Sequence, residues 1–103
     1  MRYKHDFPAR TFLRGFEENM EVFLARVEEF VEYGKLPKSK GHYLKGTYRE
    51  IYEFTMTKTR VFGFEYRGEF IVTNAGRKMD TNKAQEPDYK LALNLRADYI
   101  NNL

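Results

Sequence analysis

The chain has 103 residues, with eighteen Lys/Arg against fifteen Asp/Glu, a formal net charge of +3 and no cysteine. That length suits one domain, residues 1–103, able to bury about 65% of its unfolded surface, and the lack of cysteine excludes a disulfide framework or a thiolate metal site. The N-terminal stretch "MRYKHDFPARTF" is charged and has no apolar signal-peptide core, and no apolar run is long enough to span a membrane, so a soluble cytoplasmic domain with no membrane partner is expected.

Residues 12–33, "FLRGFEENMEVFLARVEEFVEY", read as a helix: Phe16, Met20, Phe23, Leu24, Val27, Phe30 and Val31 recur at the three-and-four spacing of one buried stripe. The glutamates fall mostly on the opposite face. Gly34 is placed to cap this helix and Pro37 to stop it. Pro8 and Gly15 set the residues before it apart as a short helix or turn.

"GKLPKSKGHYLKG" (34–46) reads as a lysine- and glycine-rich loop. "TYREIYEF" (47–54) reads as a strand, and "TRVFGFEYRGEFIVTN" (59–74) as two strands around an Arg67-Gly68 hairpin turn. Pro87, as a first helical residue, opens a C-terminal helix over "DYKLALNLRADYINNL". The expected fold is α+β: an N-terminal helical region, an antiparallel three-stranded meander and a C-terminal helix. The helices gather on one side of the sheet and leave the other face partly open.

Charge is unevenly spread. Residues 1–34 carry five Lys/Arg and seven Asp/Glu, residues 35–83 eleven and five, and residues 84–103 two and three. A basic centre between acidic ends suits a polyanion-binding face, the alternative being a solvated lysine-rich surface. The cations concentrate where "EFIVT" exits into "NAGRKMDTNKAQEP" (74–87), together with the amides Asn74, Asn82 and Gln85, which are suited to phosphate or base edges.

The pattern "LKGTYREIYEF…TRVFGFEYRGEFIVTNAGRKMDTNK" resembles the RelE-like toxins of bacterial toxin–antitoxin pairs, in particular their HigB-like and phage-derived branch. The matching elements are Leu44-Lys45-Gly46, Tyr48 to Phe54, Arg60 to Phe64, Ile71-Val72, and Gly76-Arg77-Lys78 through Lys83. The chain departs from that branch in having at best a short first strand, "YREIYEF" in place of "YELR", and Arg-Lys in place of two lysines. The resemblance implies a ribosome-dependent mRNA endoribonuclease with no cofactor. Its partners would be mRNA on the ribosome and a cognate antitoxin, expected to be a small helix-turn-helix DNA-binding protein.

Such cleavage is attack of a 2′-hydroxyl on the neighbouring phosphate. It needs a base, cations for the phosphoryl oxygens, and an acid for the departing 5′-oxygen. With two histidines far apart in sequence and no metal-binding spacing, Lys, Arg and Tyr are left to carry it. A lysine among other cations drops from its reference pKa of about 10.4 toward neutrality, while arginine offers a fixed fork to phosphate. Arg60, Arg77 and Lys78 are the expected catalytic cations, with Lys45, Arg49, Lys83, Asn82 and Tyr89 binding RNA.

For Arg60 the structural alternative is an ion pair with Glu53 or Glu50. For Tyr89 and Tyr99 it is helix packing, and for His42 an exposed loop position. The competing function is a non-enzymatic protein of the same fold that binds gyrase, as in the ParE branch, or nucleic acid.

Overall fold

The computed structural model describes residues 2–4 and 17–102, and side chains from residue 21 onward. Its elements are strand β1 (Arg2–Lys4), helix α1 (Glu17–Tyr33), strand β2 (Gly41–Tyr43), a 3-10 turn (Gly46–Tyr48), strands β3 (Tyr52–Thr55), β4 (Thr59–Tyr66) and β5 (Glu69–Arg77), and helix α2 (Asn82–Asn101). The five strands form one sheet in the order β1-β5-β4-β3-β2. Strands β2 to β5 pair antiparallel, and β1 lies parallel to β5. The architecture is α+β, with a helix before the meander and a helix after it. The expected features at Pro8, Gly15 and the start of the first helix lie outside the described residues.

The hairpin of the last two meander strands forms where the sequence places it. Arg67 (φ 49°) and Gly68 (φ 81°) both take left-handed backbone, the conformation that a two-residue turn needs to match the twist of its strands. Helix α1 closes at Gly34 (φ 77°), whose N–H donates to the Phe30 carbonyl at 2.7 Å, a left-handed cap.

Three expectations are corrected. The 34–46 segment is not all loop: Gly41, His42 and Tyr43 pair with Phe54, Glu53 and Tyr52 as an added edge strand. The strand expected from residue 47 starts at Tyr52, because Gly46 (φ 63°) turns the chain into a 3-10 turn first. Helix α2 starts at Asn82, five residues ahead of Pro87. Its N-cap is Thr81, whose hydroxyl accepts from the Ala84 N–H at 3.0 Å. Pro87 sits inside the helix and removes one bond, that to the Lys83 carbonyl.

The helices also lie on opposite faces of the sheet, not on one. Phe23, Val27 and Phe30 of α1 pack on Tyr52, Phe54, Val61, Phe70 and Val72. On the other face Tyr89 and Ala92 of α2 pack on Ile51, Phe62, Phe64 and Ile71. Both cores draw on β4 and β5, whose runs "VFGF" and "FIV" are buried on both sides, as expected of a strand covered twice.

A bulge makes this possible. Phe62 pairs with Asn74 while Gly63 pairs with Val72, which leaves Thr73 as the extra residue. Gly63 is required there, because a Cβ would meet the Ile71 carbonyl oxygen at 2.5 Å.

Candidate functional site

Helix α2 lies over β5 and β4 and leaves the β3–β2 side of that face uncovered. Two adjoining cavities fill the space, both bordered by His42, Asn82 and Tyr89. The smaller, about 240 Å³, is walled by Glu53, Arg60 and the 79–82 turn. The larger, about 700 Å³, runs between β2, the 3-10 turn and the first half of α2.

The smaller cavity holds a charged cluster built by strand register. His42 and Glu53 are paired across β2 and β3, and Glu53 is paired with Phe62 across β3 and β4. Arg60, two residues before Phe62, points to the same face. His42 Nε2 stands 3.4 Å from Glu53 Oε2, and Arg60 Nε stands 4.0 Å from Oε1. The Glu53 side chain is 7% exposed, Arg60 14% and His42 41%. The imidazole therefore faces the groove, and the carboxylate lies beneath it.

Arg60 is held in place by its own turn, with Nη1 donating to the carbonyls of Met56 at 2.6 Å and Thr59 at 3.0 Å. Arg60 thus lines the open cavity and also faces Glu53 across the strands.

Electrostatics mark the cluster as unusual. Burial pushes the Glu53 carboxyl above its ordinary value, against the pull of Arg60. Burial, and then the charges of Arg60, Lys45 and Lys38, hold the His42 imidazole below its ordinary range. Burial also raises the Tyr89 hydroxyl, with Glu53 adding to the shift and Arg60 opposing it. The site thus holds an imidazole biased toward its unprotonated form over a buried carboxyl biased toward its protonated one, beside a fixed guanidinium. A cleft group displaced by burial and by named charges is a candidate for a functional site, although structural ion-pair networks shift titrations too.

The larger cavity collects four of the expected RNA-binding residues. Lys45 and Lys83 are exposed on its rim, with Asn82 and Tyr89 on its wall. Tyr89 also serves the core, edge-on to Phe62 with ring centroids 5.7 Å apart. Its hydroxyl faces Asn82 Oδ1 at 3.5 Å. Tyr99 packs edge-on to Phe64 and Tyr66.

Other expected residues are not brought here. Arg77 pairs with Thr59 at the far end of β5. It alternates with Gly76, the residue that faces Asp88 of α2, so its side chain leaves on the α1 side of the sheet. Lys78 is exposed, and its backbone N–H bonds to the Lys58 carbonyl at 3.0 Å. Arg49 is exposed in the turn after the 3-10 segment. None of the three borders either cavity.

Two of the amides act as fasteners, although Gln85 also borders the smaller cavity. Gln85 accepts from the Met79 N–H at 2.8 Å and donates to the Arg77 carbonyl at 3.0 Å and to Asp88 Oδ2 at 2.7 Å. Asn74 Nδ2 donates to the Asp88 carbonyl at 3.1 Å. The basic stretch 74–87 is thus a strand end, a turn and a helix start, pinned together so that Asn82 and Tyr89 meet the cavity.

Sequence reasoning names Glu53 only as an alternative ion-pair partner of Arg60 and His42 as a loop residue, and the structure brings both to the smaller cavity. The available signal was that Glu53 shares strand parity with Ile51, so a carboxylate stands at an inward-facing position.

No protein-family model matches the chain, and no curated protein matches it. Among solved structures, the chain is similar to the conserved hypothetical protein HP0894 from Helicobacter pylori, determined in solution. The TM-score is 0.44 and the identity 16%, over 75% of this chain and 93% of that one.

Proposed function

We propose that this protein is a RelE-like toxin of a toxin–antitoxin pair that cleaves mRNA on the ribosome. The observation that carries the reading is the His42–Glu53–Arg60 cluster at the base of a groove rimmed by Lys45 and Lys83.

His42 takes the proton from a ribose 2′-hydroxyl through Nδ1, with Nε2 turned to Glu53, which fixes the ring as a carboxylate orients a catalytic imidazole. The freed 2′-oxygen bonds to the phosphorus, and the bond from phosphorus to the 5′-oxygen breaks. Arg60 supplies fixed positive charge to the non-bridging oxygens. The departing 5′-oxygen takes its proton from an ammonium on the groove rim, Lys45 or Lys83. The products end in a 2′,3′-cyclic phosphate and a 5′-hydroxyl. The ribosome holds the message in register, so the free protein is expected to cut RNA slowly. A small helix-turn-helix antitoxin is the expected neutralising partner.

Inducing the chain alone in a bacterial host tests the reading. Rapid arrest of growth and translation is expected, and unimpaired growth with confirmed soluble protein would count against it. Gyrase-linked DNA breaks with intact transcripts would favour the ParE-like alternative.

A further inference from the structure

The larger cavity contains a residue that phosphate binding does not explain. Glu86, on the first half of α2, lines the same groove as Lys45 and Lys83. A carboxylate there repels a phosphate backbone, so backbone contact alone argues against it. It is nonetheless held in place: the Tyr48 hydroxyl donates to Glu86 Oε2 at 3.0 Å. Tyr48 in turn leans on Tyr89, with ring centroids 5.6 Å apart and planes at 55°. Leu44 is a further apolar wall residue of this cavity. The groove therefore offers flat apolar surface, cations at its rim and one oriented acceptor.

We propose that this groove is a nucleobase subsite selective for guanine, with Glu86 as the specificity-determining residue. The inference rests on the RNA-cleaving reading above and names which base that site takes. A carboxylate can only accept hydrogen bonds, and it has two oxygens to do so. Guanine is the base whose Watson–Crick edge places two donors side by side, N1–H and the N2 amino group. Adenine sets the acceptor N1 against the carboxylate. Cytosine offers one amino donor beside an acceptor, and uracil one donor between two carbonyls. Unstacked bases of single-stranded RNA expose these edges and stack on aromatic side chains. Tyr48 and Tyr89 provide the stacking surface, and Lys45 and Lys83 receive the flanking phosphates.

The test is binding of the four nucleoside 3′-monophosphates to the full chain, followed by amide NMR titration. Guanosine 3′-monophosphate should bind about ten- to a hundredfold more tightly than the other three, the discrimination of one good bidentate pair. Glu86→Gln should abolish that preference, because its amide offers one acceptor in place of two. Tyr48→Phe keeps the ring but removes the hydroxyl that holds Glu86, and should reduce the preference. Equal binding of all four nucleotides, or guanine preference that survives in Glu86→Gln, would overturn the proposal. Guanine preference in a chain that never cuts RNA would leave the subsite standing and defeat the nuclease reading. Cutting without base preference would do the reverse.

Discussion

Glu53 lies directly across the β2–β3 ladder from His42, and the two side chains meet at 3.4 Å with the carboxylate beneath the imidazole. A carboxylate held at 7% exposure, with no closer ionic partner among the described residues than this and Arg60 at 4.0 Å, is poorly compensated for its lost water. Burial therefore disfavours its charged form, and it lies within ion-pair distance of the ring above it.

Glu53→Gln is therefore expected to abolish RNA cleavage while leaving the melting temperature at pH 7 unchanged or higher. Burial raises the folded-state value above the unfolded reference of 4.5. Its stabilising contribution is thus full below the unfolded value and is lost as pH rises through the folded one. Thermal melts of both proteins at pH 4 and pH 7 check this: the variant should gain relative to wild type only at the higher pH. A large loss at pH 7 would mean that the carboxylate is a structural anchor.

Under the proposed mechanism His42 is expected to set the acid limb of cleavage. Its imidazole is held below the ordinary value of 6.5 by burial and by Arg60, Lys45 and Lys38, and the proposed mechanism uses its neutral form as the base. Cleavage rates on programmed ribosomes should be level above that value and fall as pH drops through a midpoint beneath it. A midpoint above 6.5 would mean that the imidazolium, acting as an acid, is the working form.

The separation of Arg60 from Arg77 gives a contrast. Arg60→Ala should slow cleavage by about a hundredfold or more, near 3 kcal/mol of transition-state stabilisation. Arg77→Ala and Lys78→Ala, on residues outside the groove, should each change it by less than about threefold. Matched single-turnover rates with unchanged circular dichroism would establish the difference, and equal losses would return Arg77 to the site.

Gly63→Ala should destabilise the fold by about 1–3 kcal/mol, because the added Cβ meets backbone, the Ile71 carbonyl oxygen at 2.5 Å, together with the Phe70 ring. Urea unfolding of the two proteins measures it. An unchanged midpoint would show that the bulge can relax.

The meander was legible because its signals are local. Arg67-Gly68 can hold two left-handed residues, and β4 and β5 are apolar runs flanking that turn. What escaped was set by distant partners. Gly41–Tyr43 is too short to announce itself and becomes a strand only because β3 offers it an edge. Thr81 caps α2 without the acidic third residue that would flag a helix start, so Pro87 drew the boundary too late. The two-sided sheet was readable in "VFGF" and "FIV", where apolar residues do not alternate with polar ones. The site was half legible. Lys45, Lys83, Asn82, Tyr89 and Arg60 are brought to one groove, but Arg77 follows the pleat to the other face, and the role of Glu53 depends on two neighbouring strands.

The most direct measurement maps RNA ends on ribosomes programmed with a defined message, comparing the wild-type chain with His42→Ala. Cuts in frame with codons are expected for the wild type, with upstream fragments ending in 2′,3′-cyclic or 3′-phosphate, and no cuts above background are expected for the variant. An intact message with the folded wild-type protein, 3′-hydroxyl ends, or undiminished cutting by His42→Ala would contradict the account.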